Sequence, residues 1–550
     1  MIRNARYGVA IAVLVVGAAA VGYQVRERGV VVDGVEPAAE RGAPPLFDNL
    51  GTYNRPVSTA VAAAQRYFDQ GLRLTYAFNH AEAIRAFEQA TVLDPECAVC
   101  YWGIAYAYGP NINAPMDRGS GLLAYSAVQE ALSRAGSASP VERALIEALA
   151  IRYAADPPDD RAELDRAYAG AMREVRQRFP DDHDVVTLHA EAVMNLSPWD
   201  YWTRELEPRP GTAEVVADLE RVLAEKPDHP GACHYYIHAV EAAYPQRAVD
   251  CAERLASLMP GAGHLVHMPA HIYIRVGRWA DAIRTNEHAV HSDEMYIADH
   301  RPTGVYPLAY YPHNYHFLSF AATMAGRSAA AIRAARGVVE RVPVDVARQV
   351  PPVEPLVAYA HLVLVTFGRW DDVLREPEPP ADLTFATAMT QYARGVAHAA
   401  LNDGASARDA LDAVRSVIAG TDDPLNRAVL DIARHALEGE IAYRVDSDLR
   451  AAEAHFRQAA AVEDELLYME PPHWYYPIRH SLGAVLLAQG RAAEAEAVYR
   501  EDLQRFPENA WSLAGLQRSL QSQGRQDESA ALAPRIAALG SDVQLTASRF

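Results

Sequence analysis

The 550-residue chain is poor in lysine, in cysteine and in positive charge. Lys226 is its only lysine, so Schiff-base chemistry by a lysine is excluded from most of the chain. Four cysteines are too few for a disulfide scaffold. The 51 Lys and Arg residues face 71 Asp and Glu residues, which gives a net charge of −20 at pH 7. Because nucleic acids and anionic membranes bind to basic surfaces, this balance predicts no nucleic-acid partner.

Several familiar catalytic motifs are also missing from the sequence. It contains no Gly-rich phosphate loop, no Gly-x-Ser-x-Gly nucleophile turn and no His-Glu-x-x-His zinc motif. Strand patterns are nearly absent, whereas Ala-rich amphipathic periodicity runs through most of the chain and is typical of helices. A chain of this length therefore forms either several domains or one helical repeat array.

Residues 1–23 have the pattern of a secretory signal. Arg3 and Arg6 precede an uncharged apolar run, and the three alanines 18–20 supply a small-residue cleavage site. The run is short for a membrane span, so we expect export to the cell envelope, into a periplasmic or other extracytoplasmic space. A membrane tether by an uncleaved N-terminal helix is the first alternative, and a buried helix of a cytosolic protein is the second. Residues 24–56 are predicted to be a flexible linker.

The rest of the chain carries a recurring pattern of small residues, aromatic residues and a closing proline. The clearest units contain Gly71, Tyr76, Ala83, Phe87, Ala90 and Pro95 near the start, Ala270, Tyr273, Gly277, Ala282 and Ala289 in the middle, and Gly483, Leu487, Gly490, Tyr499 and Pro507 near the end. This spacing resembles the tetratricopeptide repeat (TPR), a helix–turn–helix of about 34 residues. The resemblance implies an all-α, TPR-like α-solenoid, a right-handed superhelix of helix–turn–helix repeats that follows the N-terminal signal or anchor helix.

Proline-rich stretches divide the predicted array. The predicted parts are an N-terminal TPR-like solenoid over 57–342, a Pro-rich joint over 343–382, C-terminal TPR repeats over 383–535 and a tail over 536–550. Solenoids present long concave grooves and commonly serve as binding scaffolds. We therefore expect a protein or peptide partner in the TPR grooves.

The histidines are concentrated in one part of the sequence. Eleven of the twenty lie between residues 229 and 316. Seven of these recur at helical spacing: His234 and His238, then His264, His267 and His271, and finally His313 and His316. Each set shares one face of a helix. In the register that the TPR resemblance implies, the three sets lie on the groove side of three successive repeats.

This grouping favours a metal site. Imidazole is the commonest transition-metal ligand in proteins, and imidazole with carboxylate suits Zn, Cu, Fe or Mn without choosing among them. Seven histidines are too many for one tetrahedral ion, so either two metals bind or only some of the seven are ligands. A polar groove for a peptide or small ligand and simple structural packing are the alternatives.

Two acidic residues are candidates for a general base, if a bound metal activates water or oxygen. Glu241 follows His238 by three residues, and Glu191 occupies the corresponding groove position of the preceding repeat. Both are the first catalytic residues to test.

The cysteines form two separated pairs in the sequence. Cys97 and Cys100 begin a predicted helix, and we expect a disulfide between them in an exported protein, with redox activity, metal ligation or free thiols as alternatives. Cys233 and Cys251 lie on paired helices and could bridge, or Cys233 could act as a metal ligand beside His234.

Three motifs extend the resemblance to a group of exported bacterial TPR proteins. They are Cys-x-x-Cys-Tyr-Trp-Gly at 97–103, His-Met-Pro-Ala-His-Ile-Tyr at 267–273 and Pro-His-Asn-x-His-Phe at 312–317. This resemblance implies the fold and export, and it carries no reaction with it.

The sequence thus predicts an exported TPR-repeat protein whose His-rich groove binds a transition metal, with metal-dependent chemistry as an extension. The alternative is a non-catalytic TPR scaffold that binds a partner protein or peptide in the cell envelope. Whether the protein is an enzyme is left open at this stage, as are its substrate and its oligomeric state.

Overall fold

The computed structural model describes residues 43–302 and 304–542. Over these residues the chain is all-α, and two isolated bridges take the place of any strand. The predicted signal at 1–23, residues 24–42 of the predicted linker and the last residues of the tail lie outside the described residues. Within the described part, none of the helices combines the length and the apolar character needed to cross a membrane.

Most helices follow one another through short turns, as the repeat pattern predicts, and longer connections lie at 195–211 and 466–477. In chain order they are α1 Ala62–Tyr76, α2 His80–Leu93, α3 Ala98–Tyr108, α4 Arg118–Arg134, α5 Pro140–Ala150, α6 Ala162–Arg178, α7 His183–Met194, α8 Thr212–Glu225, α9 Pro230–Val240, α10 Val249–Leu258, α11 Gly263–His267, α12 Pro269–Arg275, α13 Trp279–His300, α14 Tyr311–Met324, α15 Ser328–Arg341, α16 Val344–Gln349, α17 Tyr359–Thr366, α18 Trp370–Arg375, α19 Thr384–Ala400, α20 Gly404–Gly420, α21 Pro424–Arg444, α22 Leu449–Glu465, α23 Ile478–Ala488, α24 Ala492–Arg505, α25 Ala510–Ser522 and α26 Gln526–Ala538. This order of paired helices confirms the predicted TPR-like α-solenoid class.

The chain divides into two compact units. The first comprises the residues up to Ile272 together with His288–Tyr311, and the second comprises Tyr273–Glu287 together with the residues from Pro312 onward. The segment 343–382, predicted as a joint, lies within the second unit and forms α16, α17 and α18 with a 3₁₀ turn at Pro351–Ala358.

In the first unit, one aromatic ring fills the seam between three helices. A Cβ atom at Gly71 of α1 would lie 2.6 Å from the Phe87 ring of α2, and a Cβ at Gly103 of α3 would lie 2.5 Å from the same ring. Because real Cβ atoms do not approach so closely, glycine at both positions lets the helices pack around Phe87. The repeat pattern predicted this role for Gly71 and Phe87.

The second unit uses the same arrangement near its end. The Tyr499 ring of α24 lies within 2.4 Å of a Cβ built at Gly483 of α23 and within 2.3 Å of one built at Gly515 of α25. Gly277 and Gly368, which begin the two Gly-Arg-Trp turns, have φ angles of 79° and 63°. These left-handed angles are those that glycine adopts where a helix ends.

Residues 43–56 belong to the predicted flexible linker, and they pack on the first unit through specific contacts. The Arg55 guanidinium donates to Asp182 at 2.7 Å and to Asp184 at 2.9 Å. The Tyr53 hydroxyl also donates to Asp184, at 2.7 Å. Charge-assisted hydrogen bonds of this kind fix the segment, and its Gly, Pro and polar composition gave no sign of them.

Candidate metal centre

Two helical segments of the first unit bring five of the predicted histidines together. His234 and His238 lie on α9, His264 and His267 lie on α11, and His271 lies on α12. All five are at most 2% exposed. We call these five residues the histidine cluster.

Glycines at the start of the two segments allow the close packing that this requires. A Cβ at Gly231 would lie 2.4 Å from the Tyr76 ring, and a Cβ at Gly263 would lie 1.9 Å from the Asp293 carboxylate. Substitution at either position would therefore push α9 or α11 away from its neighbours. The imidazole at His229 caps α9, because its Nδ1 accepts the Ala232 N–H at 3.1 Å.

Three imidazoles of the cluster have an oxygen atom beside Nδ1, and this contact is a hydrogen bond for His234 and His238. The Nδ1 of His234 lies 2.7 Å from the carbonyl oxygen of Tyr76, which can only accept, so this nitrogen carries the proton. Glu241 places one carboxylate oxygen 3.2 Å from Nδ1 of His238 and the other 2.7 Å from Nδ1 of His271. His234 and His238 are neutral, and each therefore presents the lone pair of its Nε2 atom.

The Nε2 atoms converge inside the cluster. Nε2 of His234 lies 3.1 Å from Nε2 of His264, and Nε2 of His267 lies 2.9 Å from Nε2 of His271. Nε2 of His238 is buried and has no hydrogen-bond partner among the described residues. Potential ligand atoms of His234, His238 and His264 all lie within 4.8 Å of one another. Two nitrogens bound to one tetrahedral zinc are separated by roughly 3.3 Å, so small movements of these side chains would let the three hold one metal ion.

Burial keeps these rings neutral. The pKa values of His234, His238 and His264 are held well below the usual value, first by burial and then by neighbouring imidazoles. Neutral imidazole is the form that binds a metal. Nδ1 of His264 is buried, and the described residues supply no hydrogen-bond partner for it.

Aromatic rings enclose the cluster. The Phe78 ring stacks on His264 with 5.5 Å between centroids, and the Tyr310 ring lies 4.6 Å from the same imidazole. The half-buried Trp199 ring packs edge-on against His238 at 5.0 Å. Phe78 and Trp199 have φ angles of 56° and 65°, in the left-handed region that non-glycine residues rarely adopt. Backbone strain of this kind concentrates at functional sites.

Among the described residues, Glu191 does not belong to any group of potential metal ligands that includes a histidine of the cluster. Its carboxylate accepts the Tyr106 hydroxyl at 2.9 Å and the side-chain amide of Asn195. Burial raises the pKa of Glu191, and the charge of Arg152 opposes this rise. Its role as a general base stays a prediction. Glu241, the other predicted base, is the carboxylate that orients two rings of the cluster.

His313 and His316 lie on α14 and belong to the second unit. The His313 ring packs edge-on against Phe317 at 5.2 Å. The His316 ring packs edge-on against Tyr359 at 4.4 Å, and burial lowers the pKa of His316 to about 3. That His313 and His316 are metal ligands stays a prediction.

The four cysteines differ in state. Cys97 and Cys100, at the start of α3, form a disulfide. Cys233 and Cys251 are buried thiols with 2.8 Å between their sulfur atoms. The pKa of the Cys233 thiol is raised, first by its hydrogen bond with Cys251 and then by burial. The Cys233 thiol is therefore protonated at neutral pH.

The second unit contains another His–Glu group within ligand distance, formed by His435, Glu438 and His455. Both imidazoles lie beside one oxygen of Glu438, at 3.2 Å and 3.0 Å. Arg415 and Arg434 donate to the same carboxylate at 2.8 Å and 3.2 Å. Arg434 also donates to Nε2 of His435 at 2.8 Å. Guanidinium groups thus already engage the ligand atoms of this group.

Sequence reasoning missed two contributors to the centre, the Tyr76 carbonyl and the Phe78 ring. Tyr76 ends α1 and Phe78 lies in the turn that follows, about 150 residues before the cluster in the chain. A backbone carbonyl acts independently of the side-chain type, so no residue pattern marks it. The unusual Tyr-Ala-Phe-Asn-His turn was the only available signal.

Comparisons with known proteins give no family for this chain. No family model matches it, and no curated protein is significantly similar to it in sequence. Among solved structures it is similar to the human IFIT1 dimer with m7Gppp-AAAA, at 12% identity over 88% of this chain and 91% of that one, with a TM-score of 0.32. It is also similar to the APC/C hetero-tetramer Cut9-Hcn1, at 12% identity over 87% of this chain and 88% of that one, with a TM-score of 0.29.

Proposed function

We propose that this protein binds a transition metal ion in the first unit, through the Nε2 atoms of His234, His238 and His264. The observation that carries the proposal is the orientation of the rings. His234 and His238 each engage a hydrogen-bond acceptor through Nδ1 and leave Nε2 for a shared ligand. An acceptor on the second ring nitrogen is the arrangement that orients metal-binding histidines in proteins.

The ligand set favours zinc, copper, iron or manganese over calcium or magnesium, because its donors are imidazole nitrogens. A site with three histidine ligands leaves a coordination position open, and a metal with an open position can lower the pKa of a bound water or polarise a substrate. We assign Glu241 as the positioning residue of the centre, since both of its oxygens face ring nitrogens of the cluster.

Metal content tests this proposal directly. We expect about one equivalent of metal by inductively coupled plasma mass spectrometry in protein purified without chelator, and loss of that metal in His264→Ala and in His238→Ala. The matched control is His288→Ala, because His288 is an exposed histidine of the same unit. Folded wild type that takes up no metal even after incubation with zinc would contradict the proposal, as would unchanged metal content in both cluster variants.

A second candidate function, binding of a partner peptide, is supported by a cavity of about 290 Å³ in the second unit. Trp474 and Asp502 line it and are at most 1% exposed. The Trp474 N–H and Oδ1 of Asp502 have no partner among the described residues. A peptide amide could satisfy this donor and this acceptor. Peptides selected against the wild type should lose affinity for Asp502→Asn and keep it for the exposed Asp527→Asn, and equal binding would count against the cavity.

Export to the cell envelope is part of the proposal. It is supported by the signal pattern at 1–23 and by the Cys97–Cys100 disulfide, since disulfides persist in oxidising compartments. Cell fractionation of the full chain, with mass spectrometry of its N-terminus, distinguishes cleaved, anchored and cytosolic forms. Recovery in the cytosol alone would contradict export.

A further inference from the structure

A cavity of about 300 Å³ lies in the first unit beside the metal centre but apart from its ligand atoms. Three aromatic residues line it: Phe47, Tyr296 and Tyr306. None of its lining residues is Lys or Arg, whereas Asp299 supplies a carboxylate. The lining thus combines aromatic rings with negative charge and lacks a fixed positive charge.

The three rings are arranged edge to face around the cavity. The centroid of Tyr296 lies 6.3 Å from that of Phe47 and 5.6 Å from that of Tyr306, with interplanar angles of 64° and 82°. The three rings therefore border the cavity in different orientations, and we call this set of rings the cage. A cation inside such a cage is attracted by the negative ring faces.

Hydrogen bonds hold the outer rings of the cage in place. The backbone N–H of Phe47 donates to the Gln70 side chain at 2.8 Å, and the Gln70 amide donates to the Pro45 carbonyl at 2.9 Å. The Tyr306 hydroxyl donates to Asp293 at 2.8 Å. The cage is therefore preorganised, which reduces the entropy lost when a ligand binds.

Asn79 adds an acceptor that the protein leaves unused. Asn79 precedes α2 at the N-cap position, yet its side chain makes no capping hydrogen bond. The residue lines the cavity and is 6% exposed, and its Oδ1 has no partner among the described residues. A buried acceptor without a partner is unfavourable, and a ligand donor would relieve it.

Asp299 and the end of α13 supply the negative potential. Asp299 lies one residue before the last residue of α13, where the helix dipole places partial negative charge. Among the described residues, Asp299 forms no ion pair, so its charge is available to a ligand.

We propose that this cavity binds an organic ammonium ion, with its alkyl groups against Phe47, Tyr296 and Tyr306 and its charge facing Asp299. An anion is disfavoured because no Lys or Arg lines the cavity. Tight binding of a hard metal cation is disfavoured because one carboxylate with one amide oxygen would leave most of its six or more coordination positions to water. The ligand class is a small amine carrying methyl or other alkyl groups.

Choline and its uncharged isostere 3,3-dimethylbutan-1-ol test the proposal, because they share shape and differ in charge. Isothermal titration at pH 8, where imidazoles are neutral, should show choline binding at least about tenfold more tightly than the isostere. Asp299→Asn should remove most of that preference, and Phe47→Ala should weaken choline binding about tenfold. Asp250→Asn, an exposed carboxylate of the same unit, is the matched control.

Equal affinity for the two compounds would overturn the proposal, since an apolar cavity alone binds both. Failure of choline to bind folded wild type up to roughly 100 mM would overturn it as well. Metal content serves as an independent measurement on the same samples. Asp299→Asn should keep its metal, so the cage and the metal centre can fail separately.

Discussion

Two of the groups of potential metal ligands among the described residues meet the same distance criterion and differ in burial and in charged neighbours. The cluster around His234, His238 and His264 is buried, and its charged neighbour Glu241 faces ring nitrogens. The group of His435 and Glu438 is half-buried, and guanidinium groups already donate to it. Proximity of potential ligands therefore does not define a metal site. A metal site also requires ligand atoms whose lone pairs are not already hydrogen-bonded. It further requires that no guanidinium group occupies the position of the metal ion.

The largest expected difference between the two groups is in zinc affinity. We expect His234→Ala/His264→Ala to weaken zinc binding by more than about 100-fold, because two ligands are lost. His435→Ala/His455→Ala should leave the affinity within about twofold of wild type, since these rings are already paired. Competition with a chromophoric chelator measures both constants. Equal losses in the two double variants would show that the comparison is wrong.

The next expected difference in zinc affinity is between variants of Glu241 and of Glu438. Glu241→Gln should weaken zinc binding by about 10–100-fold, because the amide orients the rings of His238 and His271 less well than the carboxylate does. Glu438→Gln should have no effect on zinc. The d–d spectrum of the cobalt-substituted protein should stay tetrahedral in Glu241→Gln, since the ligands themselves are unchanged. Loss of that spectrum would instead make Glu241 a ligand.

A third comparison uses the packing that the two units share. Gly71→Ala and Gly483→Ala should each destabilise the protein by about 1–3 kcal/mol, because the new methyl group overlaps the ring of Phe87 or Tyr499. Chemical denaturation followed by circular dichroism measures the loss. Gly136→Ala is the control, because no atom lies within 4 Å of a Cβ at Gly136. A Gly71→Ala variant that is as stable as the wild type would show that the first unit repacks around the added methyl group more easily than its geometry indicates.

The smallest effect is expected at Glu438. Burial alone would raise its pKa, but hydrogen bonds from His435, His455 and Arg415 together with the charge of Arg434 hold the pKa of Glu438 well below its ordinary value. Its ionised form therefore stabilises the fold above the unfolded-state pKa of about 4.3, and this contribution decreases as the pH falls below that value.

Glu438→Gln should accordingly destabilise the protein by at most about 1 kcal/mol at pH 7, since the ion pairs are partly screened by solvent. The difference from wild type should shrink below about pH 4. Urea unfolding at several pH values measures this trend. A difference that grows with acidity would contradict the assigned cause.

Much of the scaffold could be predicted from the sequence, because it depends on residue size at repeated positions. Gly71 and Phe87 identified a helix pair, and Gly277 identified a turn that needs a left-handed backbone. The grouping of His234, His238, His264, His267 and His271 also followed from helical spacing, since α9 and the α11–α12 segment each keep one face toward the cluster.

The features that could not be predicted depend on contacts between segments that are distant in the sequence. Phe47 comes from a stretch predicted to be flexible, and its position rests on hydrogen bonds with Gln70 that no local pattern reveals. The Tyr76 carbonyl orients His234 as a backbone group and so has no sequence signature. The role of Glu241 changed for a similar reason: spacing placed it near His238, but only the position of α12 shows that it also faces His271.

The neutrality of the buried histidines has a consequence for the proposed metal binding. Exposed histidines lose protons when a metal binds near their ordinary pKa, so their affinity falls as the solution becomes acidic. The pKa values of His234, His238 and His264 lie well below that range. Because Nε2 of His234 carries a lone pair, its hydrogen bond with Nε2 of His264 places a proton on the latter atom, and this proton can move to Nδ1 of the same ring. Binding at these three rings then releases no proton between roughly pH 6 and pH 8. Within that range, protonation of these three rings would not limit the occupancy of the centre.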